Sequence, residues 1–253
     1  MRGVLAALLL LSPSAFAQDS TYAGLAGATV LKAGVMQVES GSGFARTETF
    51  EYLKRPDGGV TLLNTMTSDD ARYRVRARFD LTDEWQSTEA WGRGIYDGAP
   101  VNSHMKRNGD QVDITVSGPE TDLTNTAVCD PDCFINMSPS VTAMFVMTRH
   151  HSMEVGAVQQ FRWAGQDLDR VRTLDGGKAD LKYEGEVTAA GKTVRYFTFI
   201  ERLPLPDGTM FDLPFEMWTD LEHFPLGFRV GSGDRATVGF RQGWEDVKAQ
   251  LLD

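Results

Sequence analysis

From residue 44 onward, apolar and polar positions alternate with a period of two rather than 3.6. The clearest run is Ala71-Arg72-Tyr73-Arg74-Val75-Arg76-Ala77-Arg78-Phe79, which puts apolar groups on one face of a strand and arginines on the other. Gln111 to Ser117 repeats the pattern through Val112, Ile114 and Val116. Residues 181–187 and 193–201 alternate in the same way about the turn Ala189-Ala190-Gly191-Lys192. Turn clusters at Arg55-Pro56-Asp57-Gly58-Gly59, Tyr96-Asp97-Gly98-Ala99-Pro100, Asn108-Gly109-Asp110, Asp175-Gly176-Gly177 and Pro206-Asp207-Gly208 separate the remaining strand-like runs. The pattern predicts a mainly β protein: a single strongly curved antiparallel sheet, or half-barrel, of about ten to twelve strands, with no linker dividing it.

Two segments break the alternation. Ser138-Pro139 offers an N-cap with proline at the first helical position, and Val141, Met144, Phe145 and Thr148 follow at helical spacing. They predict an amphipathic helix from Pro139 to about Ser152, laid across the concave face of the sheet. Gly243 to Leu252 reads as a C-terminal helix, with Glu245 and Asp246 near its start where the helix dipole favours them. The stretch before Phe44, with Leu25, Val30, Leu31 and Val35 among small residues, fits either a helix against the sheet or an edge strand.

Composition narrows the class without naming a function. With 253 residues, 42% of them hydrophobic, the chain can bury a sizeable core and is neither a disordered polymer nor a disulfide-stapled miniprotein. Thirty-five acidic against 25 basic residues give a net charge of −10, which excludes nucleic acid as a natural partner and disfavours anionic membrane surfaces. Arg2, the apolar run Val4–Leu11, the break Ser12-Pro13-Ser14 and Ala15-Phe16-Ala17 have the form of a cleaved export signal. The expected mature chain is a single β domain over residues 18–253, periplasmic or secreted. No later apolar run approaches the ~20 residues that span a bilayer.

Export changes how Cys129 and Cys133, the two cysteines, are read. In an oxidising compartment so close a pair closes as a disulfide. A metal site would need further ligands from His150, His151 or the aspartates Asp130 and Asp132. The expectation is a disulfide that pins the turn into the next segment, with no metal and no cofactor.

A bent sheet with one helix across it leaves a cavity wherever the helix does not fill the concave face. The segment after the cysteines is soft, and methionine adapts to irregular apolar ligands. The candidate ligand-binding wall is Phe134, Met137, Met144, Phe145, Met147, Phe161, Trp163 and Trp218. Residues of this kind also simply pack cores, and the sequence leaves both readings open.

Tyr73-Arg74-Val75-Arg76, Trp85 after an acidic turn, Cys129-Asp130-Pro131-Asp132, the Ser-Pro helix start, Arg149-His150-His151, Phe215-Glu216-Met217-Trp218-Thr219-Asp220 and Phe224-Pro225-Leu226 occur in this order. Over residues 44–230 this order resembles the exported lipoprotein-carrier-like (LolA-like) half-barrels and related glycolipid-binding periplasmic families. The resemblance implies a curved antiparallel sheet closed by helices over an apolar cavity, and binding of a lipid or another hydrophobic molecule.

Arg72, Arg74, Arg76 and Arg78 form a one-sided cationic ladder in an acidic chain. It reads first as a sheet face paired with neighbouring acids such as Glu48, Glu51 or Glu89, and second as a docking face for an acidic partner or an anionic headgroup. His150 and His151 suit the last turn of a helix through its dipole, and either is a candidate acid/base if the protein is an enzyme. Familiar hydrolase, metalloprotease, phosphate-loop and dinucleotide motifs are missing, so no catalytic residue is assigned. The leading expectation is an exported carrier or sensor of a hydrophobic ligand. The alternatives are a cofactor-independent lyase, isomerase or hydrolase working in the same cavity, and a structural or adaptor β protein.

Overall fold

The structure is a computed structural model that describes residues 23–252 apart from 42, 44, 71–72, 97, 119–121, 131–132, 139, 168–171 and 205–208. The export-signal segment 1–17, Arg72 and Pro139 therefore lie outside the described residues. The first eight strands are β1 (Thr29–Ser40), β2 (Ala45–Lys54), β3 (Val60–Ser68), β4 (Arg74–Leu81), β5 (Ser87–Tyr96), β6 (Ala99–Asn108), β7 (Gln111–Ser117) and β8 (Asp122–Val128). After β9 (Cys133–Ser138) comes a central 3-10 helix, Thr142–His150. The chain then forms β10 (Val158–Asp167), β11 (Arg172–Ala189), β12 (Lys192–Pro204), β13 (Met210–Thr219), β14 (Pro225–Val230), β15 (Thr237–Arg241) and the helix α1 (Glu245–Leu252).

All fifteen strands belong to one sheet, ordered β8-β7-β6-β5-β4-β3-β2-β1-β15-β14-β13-β12-β11-β10-β9. The single curved sheet is as expected, with more strands than the ten to twelve that alternation reveals. The surplus comes from strands such as β8 (DLTNTAV), whose polar composition carries no apolar period. The ambiguous first segment is β1, and it is neither a helix nor an edge strand: it pairs with β2 on one side and β15 on the other. Every neighbouring pair is antiparallel except β9 and β10, which run parallel because the central helix carries the chain back between them. The sheet curls until β8 lies against β11 and β9 against the inner face of β5. A Cβ on Gly92 would collide with the Met137 thioether, so a side-chain-free position on β5 lets β9 come close.

Alternation then sorts the side chains. On β4, Val75, Ala77, Phe79 and Leu81 enter the main core, while Arg74, Arg76 and Arg78 point outward. The central helix lies within the curled sheet and is buried on every side from Thr142 through Thr148, so it has no wet face, where its spacing predicts an amphipathic helix. A second, smaller cluster of Ala189, Val194, Trp218, Leu226, Phe240 and Val247 lies on the outer face beneath α1.

Candidate functional site

The N-terminal end of the central helix is held by a carboxylate. Glu48 projects inward from β2 and is fully buried. Its Oε1 accepts hydrogen bonds from Thr142 N at 3.0 Å, Thr142 Oγ1 at 2.7 Å and Asn64 Nδ2 at 2.6 Å, while Arg46 stands 3.7 Å from Oε2. The Tyr52 hydroxyl donates to Thr142 O at 2.9 Å from the same strand. The first amides of a helix lack internal acceptors, and a carboxylate placed there satisfies them while complementing the helix dipole. Glu48 therefore faces the interior and is not a partner of the arginine ladder; the Arg46–Glu48 pair breaks the apolar-inside pattern that the alternation assumes.

Along its flank the helix meets β9, β10 and β12 in a soft seam. Phe134, Ile135, Ala143, Met144, Met147, Trp163 and Phe199 line it, with Asn136 and Glu201 at its border. The cavity there is about 10 Å³, room for a single water. Four of the eight residues proposed from sequence, Phe134, Met144, Met147 and Trp163, thus meet at one place. Met137, Phe145 and Phe161 are buried in the same core beside it. Trp218 is not with them. The register sets Trp218 beside Gly227 and Met217 beside Phe228, so Trp218 faces outward, stacked on Tyr196 at 5.6 Å under α1. The period of two along β13 sets Trp218 on the face of Asp212 and Glu216, opposite Phe215 and Met217, so its apolar character and not its position suggested the interior. The indole Nε1 of Trp163 is buried without a hydrogen-bond partner among the described residues.

At the other end of the helix, Arg149 is half-buried, with no carboxylate contact among the described residues. Its guanidinium lies 3.6 Å from the Trp85 ring centroid and 4.5 Å from that of Phe224, and burial pulls its pKa below the usual arginine range. The two rings and Tyr52 touch one another edge-on or tilted, forming an aromatic cage. His223 approaches from the β13–β14 turn, with Nδ1 3.2 Å from Thr148 Oγ1. The Thr148 hydroxyl donates to Phe145 O at 2.8 Å, so Nδ1–H of His223 is the donor in their contact. Burial, then the Arg195 and Arg149 cations, push His223 down to about 4. Of the four described non-glycine residues with left-handed φ, three surround this end: Trp85 (67°), Met153 (60°) and His223 (64°). Such conformations store strain and concentrate where structure serves function.

The two histidines proposed as acid/base candidates divide. His151 is buried; its Nδ1 accepts from Met153 N at 3.2 Å, and its Nε2 donates to Ala157 O at 3.1 Å. A ring held at both nitrogens in one neutral tautomer fastens a loop and has no site left for a substrate proton. His150 packs edge-on against Phe134 at 5.0 Å, with Nε2 3.3 Å from Trp85 O, and so links the seam to the cage.

Cys129 and Cys133 form a disulfide. Arg107 clasps the loop it closes, donating to Cys129 O at 3.0 Å, Asp130 O at 3.2 Å and Cys133 O. Among the described residues no group of three or more His, Cys, Asp or Glu side chains is placed to hold a metal, and no helix is long and apolar enough to cross a membrane. The ladder also divides. Arg78 is buried against Asp80 of its own strand (2.9 Å), Ala23 O (2.6 Å) and the Trp91 ring (5.0 Å). Arg74 and Arg76 remain on the outer face, and Glu89 pairs instead with His104 at 2.7 Å.

No family model and no curated protein matches the chain in sequence. Among solved structures it is similar to a β-barrel-like protein of the domain of unknown function DUF1849 from Brucella abortus, with TM-score 0.52 and 9% identity over 84% of this chain and 97% of that one. It is also similar to a DUF1089 family protein from Pseudomonas aeruginosa, with TM-score 0.43 and 12% identity over 72% and 87% of the two chains. At 9% identity the likeness to the Brucella protein shows the fold alone: a β-barrel-like curled sheet.

Proposed function

We propose that the protein is exported and binds a hydrophobic group in the seam between the central helix and the sheet, in the manner of the lipoprotein-carrier-like half-barrels its sequence resembles. The observation that carries this reading is the convergence of Phe134, Met144, Met147, Trp163 and Phe199 around the small cavity there. As it stands the cavity admits one water, so a guest enters by displacing the methionines, whose unbranched chains change rotamer at low cost. The indole N–H of Trp163 supplies one directional contact, which favours a guest with a hydrogen-bond acceptor next to its apolar part, such as an acyl chain with its carbonyl. The disulfide suits an oxidising compartment.

Native mass spectrometry of protein isolated from its own host is expected to show a co-purified apolar molecule, and a fluorescent fatty-acid analogue is expected to titrate to one site. Ala143→Phe, which fills the seam, abolishes binding while the circular dichroism spectrum is kept. Trp163→Phe weakens it about fivefold, the equivalent of one hydrogen bond of about 1 kcal/mol. Absence of a co-purified molecule together with no change of probe fluorescence would refute the reading.

A further inference from the structure

The outer face of β4–β7 carries a second feature, separate from the seam. Cross-strand register sets Arg76 opposite Arg93, Arg93 opposite Asn102, and Asn102 opposite Ser117. In the next row Arg78 faces Trp91, Trp91 faces His104, and His104 faces Thr115. All of these except Arg78 line an open groove of about 330 Å³.

Its shape follows from side-chain size. Asn102, Thr115 and Ser117 are short and form the floor. The wall is a layered stack in which His104 lies parallel to Trp91 (5.4 Å, 10°) and Arg78 sits 5.0 Å from the Trp91 ring. Glu89 fixes His104, and Asp80 fixes Arg78. The wall is therefore rigid without a ligand.

Its electrostatics are unusual for a chain of charge −10. Two guanidinium groups directly opposite each other on adjacent strands repel. Across β4 to β7 their row contains no carboxylate: it reads Arg76, Arg93, Asn102, Ser117. Among the described residues the first acid along it is Asp122 on β8, three strands from Arg93. The acids two rows away are engaged, Asp80 with Arg55 and Arg78, Glu89 with His104 and Lys106, and Asp113 with the Thr126 hydroxyl. Arg93 is exposed and makes no ion pair among the described residues. The floor offers neutral donors beside the cations, through Asn102, Thr115 and Ser117.

We infer that this groove is an oxyanion-binding site, in which Arg76 and Arg93 grip a phosphate or carboxylate group of a small polar ligand and the floor residues donate to its remaining oxygens. Guanidinium groups chelate such oxyanions, and Arg93 brings to the groove one that makes no ion pair among the described residues. The site is independent of the apolar seam, since it lies on the opposite face of the sheet.

Calorimetric titration at low ionic strength with inorganic phosphate and, in a second arm, with citrate tests the inference. One-to-one saturable binding is expected, and the tighter probe tells phosphoryl from carboxylate chemistry. Arg93→Gln weakens it at least tenfold, in keeping with a charged hydrogen bond. Arg235→Ala, an exposed cation elsewhere, leaves it unchanged. Asn102→Asp puts a carboxylate into the row, so it removes binding and raises the melting temperature, showing that the loss is not unfolding. No saturable binding of either probe, or binding that survives Arg76→Ala/Arg93→Ala, overturns the inference.

Discussion

The two ends of the central helix hold charge in opposite ways. At the N-terminal end, Glu48 is enclosed by directional hydrogen bonds from Asn64 and Thr142, with Arg46 nearby. At the C-terminal end, Arg149 is enclosed by the faces of Trp85 and Phe224. Hydrogen bonds fix an atom to within tenths of an ångström, whereas ring faces tolerate sliding. The first end is therefore an anchor and the second a bearing. The strained backbone at Trp85, Met153 and His223 gathers at the bearing, and His150 joins it to Phe134 in the seam. If the helix moves to admit a guest, it pivots about Glu48.

The largest expected effect is at the anchor. Glu48→Ala leaves Arg46 and the first helical amides without their carboxylate inside the sheet, and urea unfolding is expected to show a loss of about 3–5 kcal/mol. Glu48→Gln keeps the shape and one acceptor and is expected to cost less. A penalty under about 1 kcal/mol for Glu48→Ala would remove the anchor from the comparison.

At the bearing, Trp85→Leu strips one ring from a desolvated guanidinium and is expected to cost about 2 kcal/mol by the same measurement. Arg149→Met replaces the charge with an apolar chain of similar length and is expected to change stability by less than about 1 kcal/mol. Equal losses for Glu48→Ala and Arg149→Met would erase the contrast between the two ends.

The disulfide lies outside both ends. Serine at Cys129 and Cys133 opens a loop of sequence separation 4, so thermal unfolding is expected to report a loss of no more than about 2 kcal/mol. Fatty-acid-analogue binding should be unchanged, since Arg107 still clasps the same backbone.

The smallest effect is with pH. His223 titrates near 4 in the folded protein against about 6.5 when unfolded, so the unfolded chain takes up the proton first as pH falls. Stability is full above pH 6.5 and declines toward pH 4. Solvent screening at this half-buried ring keeps the total to about 1 kcal/mol. Denaturant midpoints across that range are expected to flatten in His223→Phe; an unchanged slope would take His223 out of the bearing.

Much of the fold was legible because burial on one face of a strand writes itself as a period of two. β7 spans the same seven residues that alternation marks, and the β11–β12 turn falls at Ala190-Gly191. Legibility failed where the environment departs from one wet face and one dry face. On β13 the period puts Trp218 outward with Asp212 and Glu216, but a buried tryptophan on that face makes sense only once α1 is seen to cover it. Glu48 reads as an exposed strand acid because its acceptor role depends on a helix amide more than ninety residues away. Arg76 and Arg78 look alike in sequence, yet Asp80, Trp91 and Ala23 absorb only the second. The helix could be located by its spacing, but that it is dry all round is a property of the sheet that wraps it.

The strand order carries a consequence for biogenesis. Residues 36–40 zip to residues 237–241 in the middle of the sheet, whereas the two free margins, β8 and β9, are consecutive in sequence and tied by the disulfide loop. A polypeptide emerging amino end first thus holds β1 with one side unsatisfied until residues 237–241 arrive. Completion of the spiral waits for β15, and a product cut short before it would leave two sticky borders at the centre of the sheet.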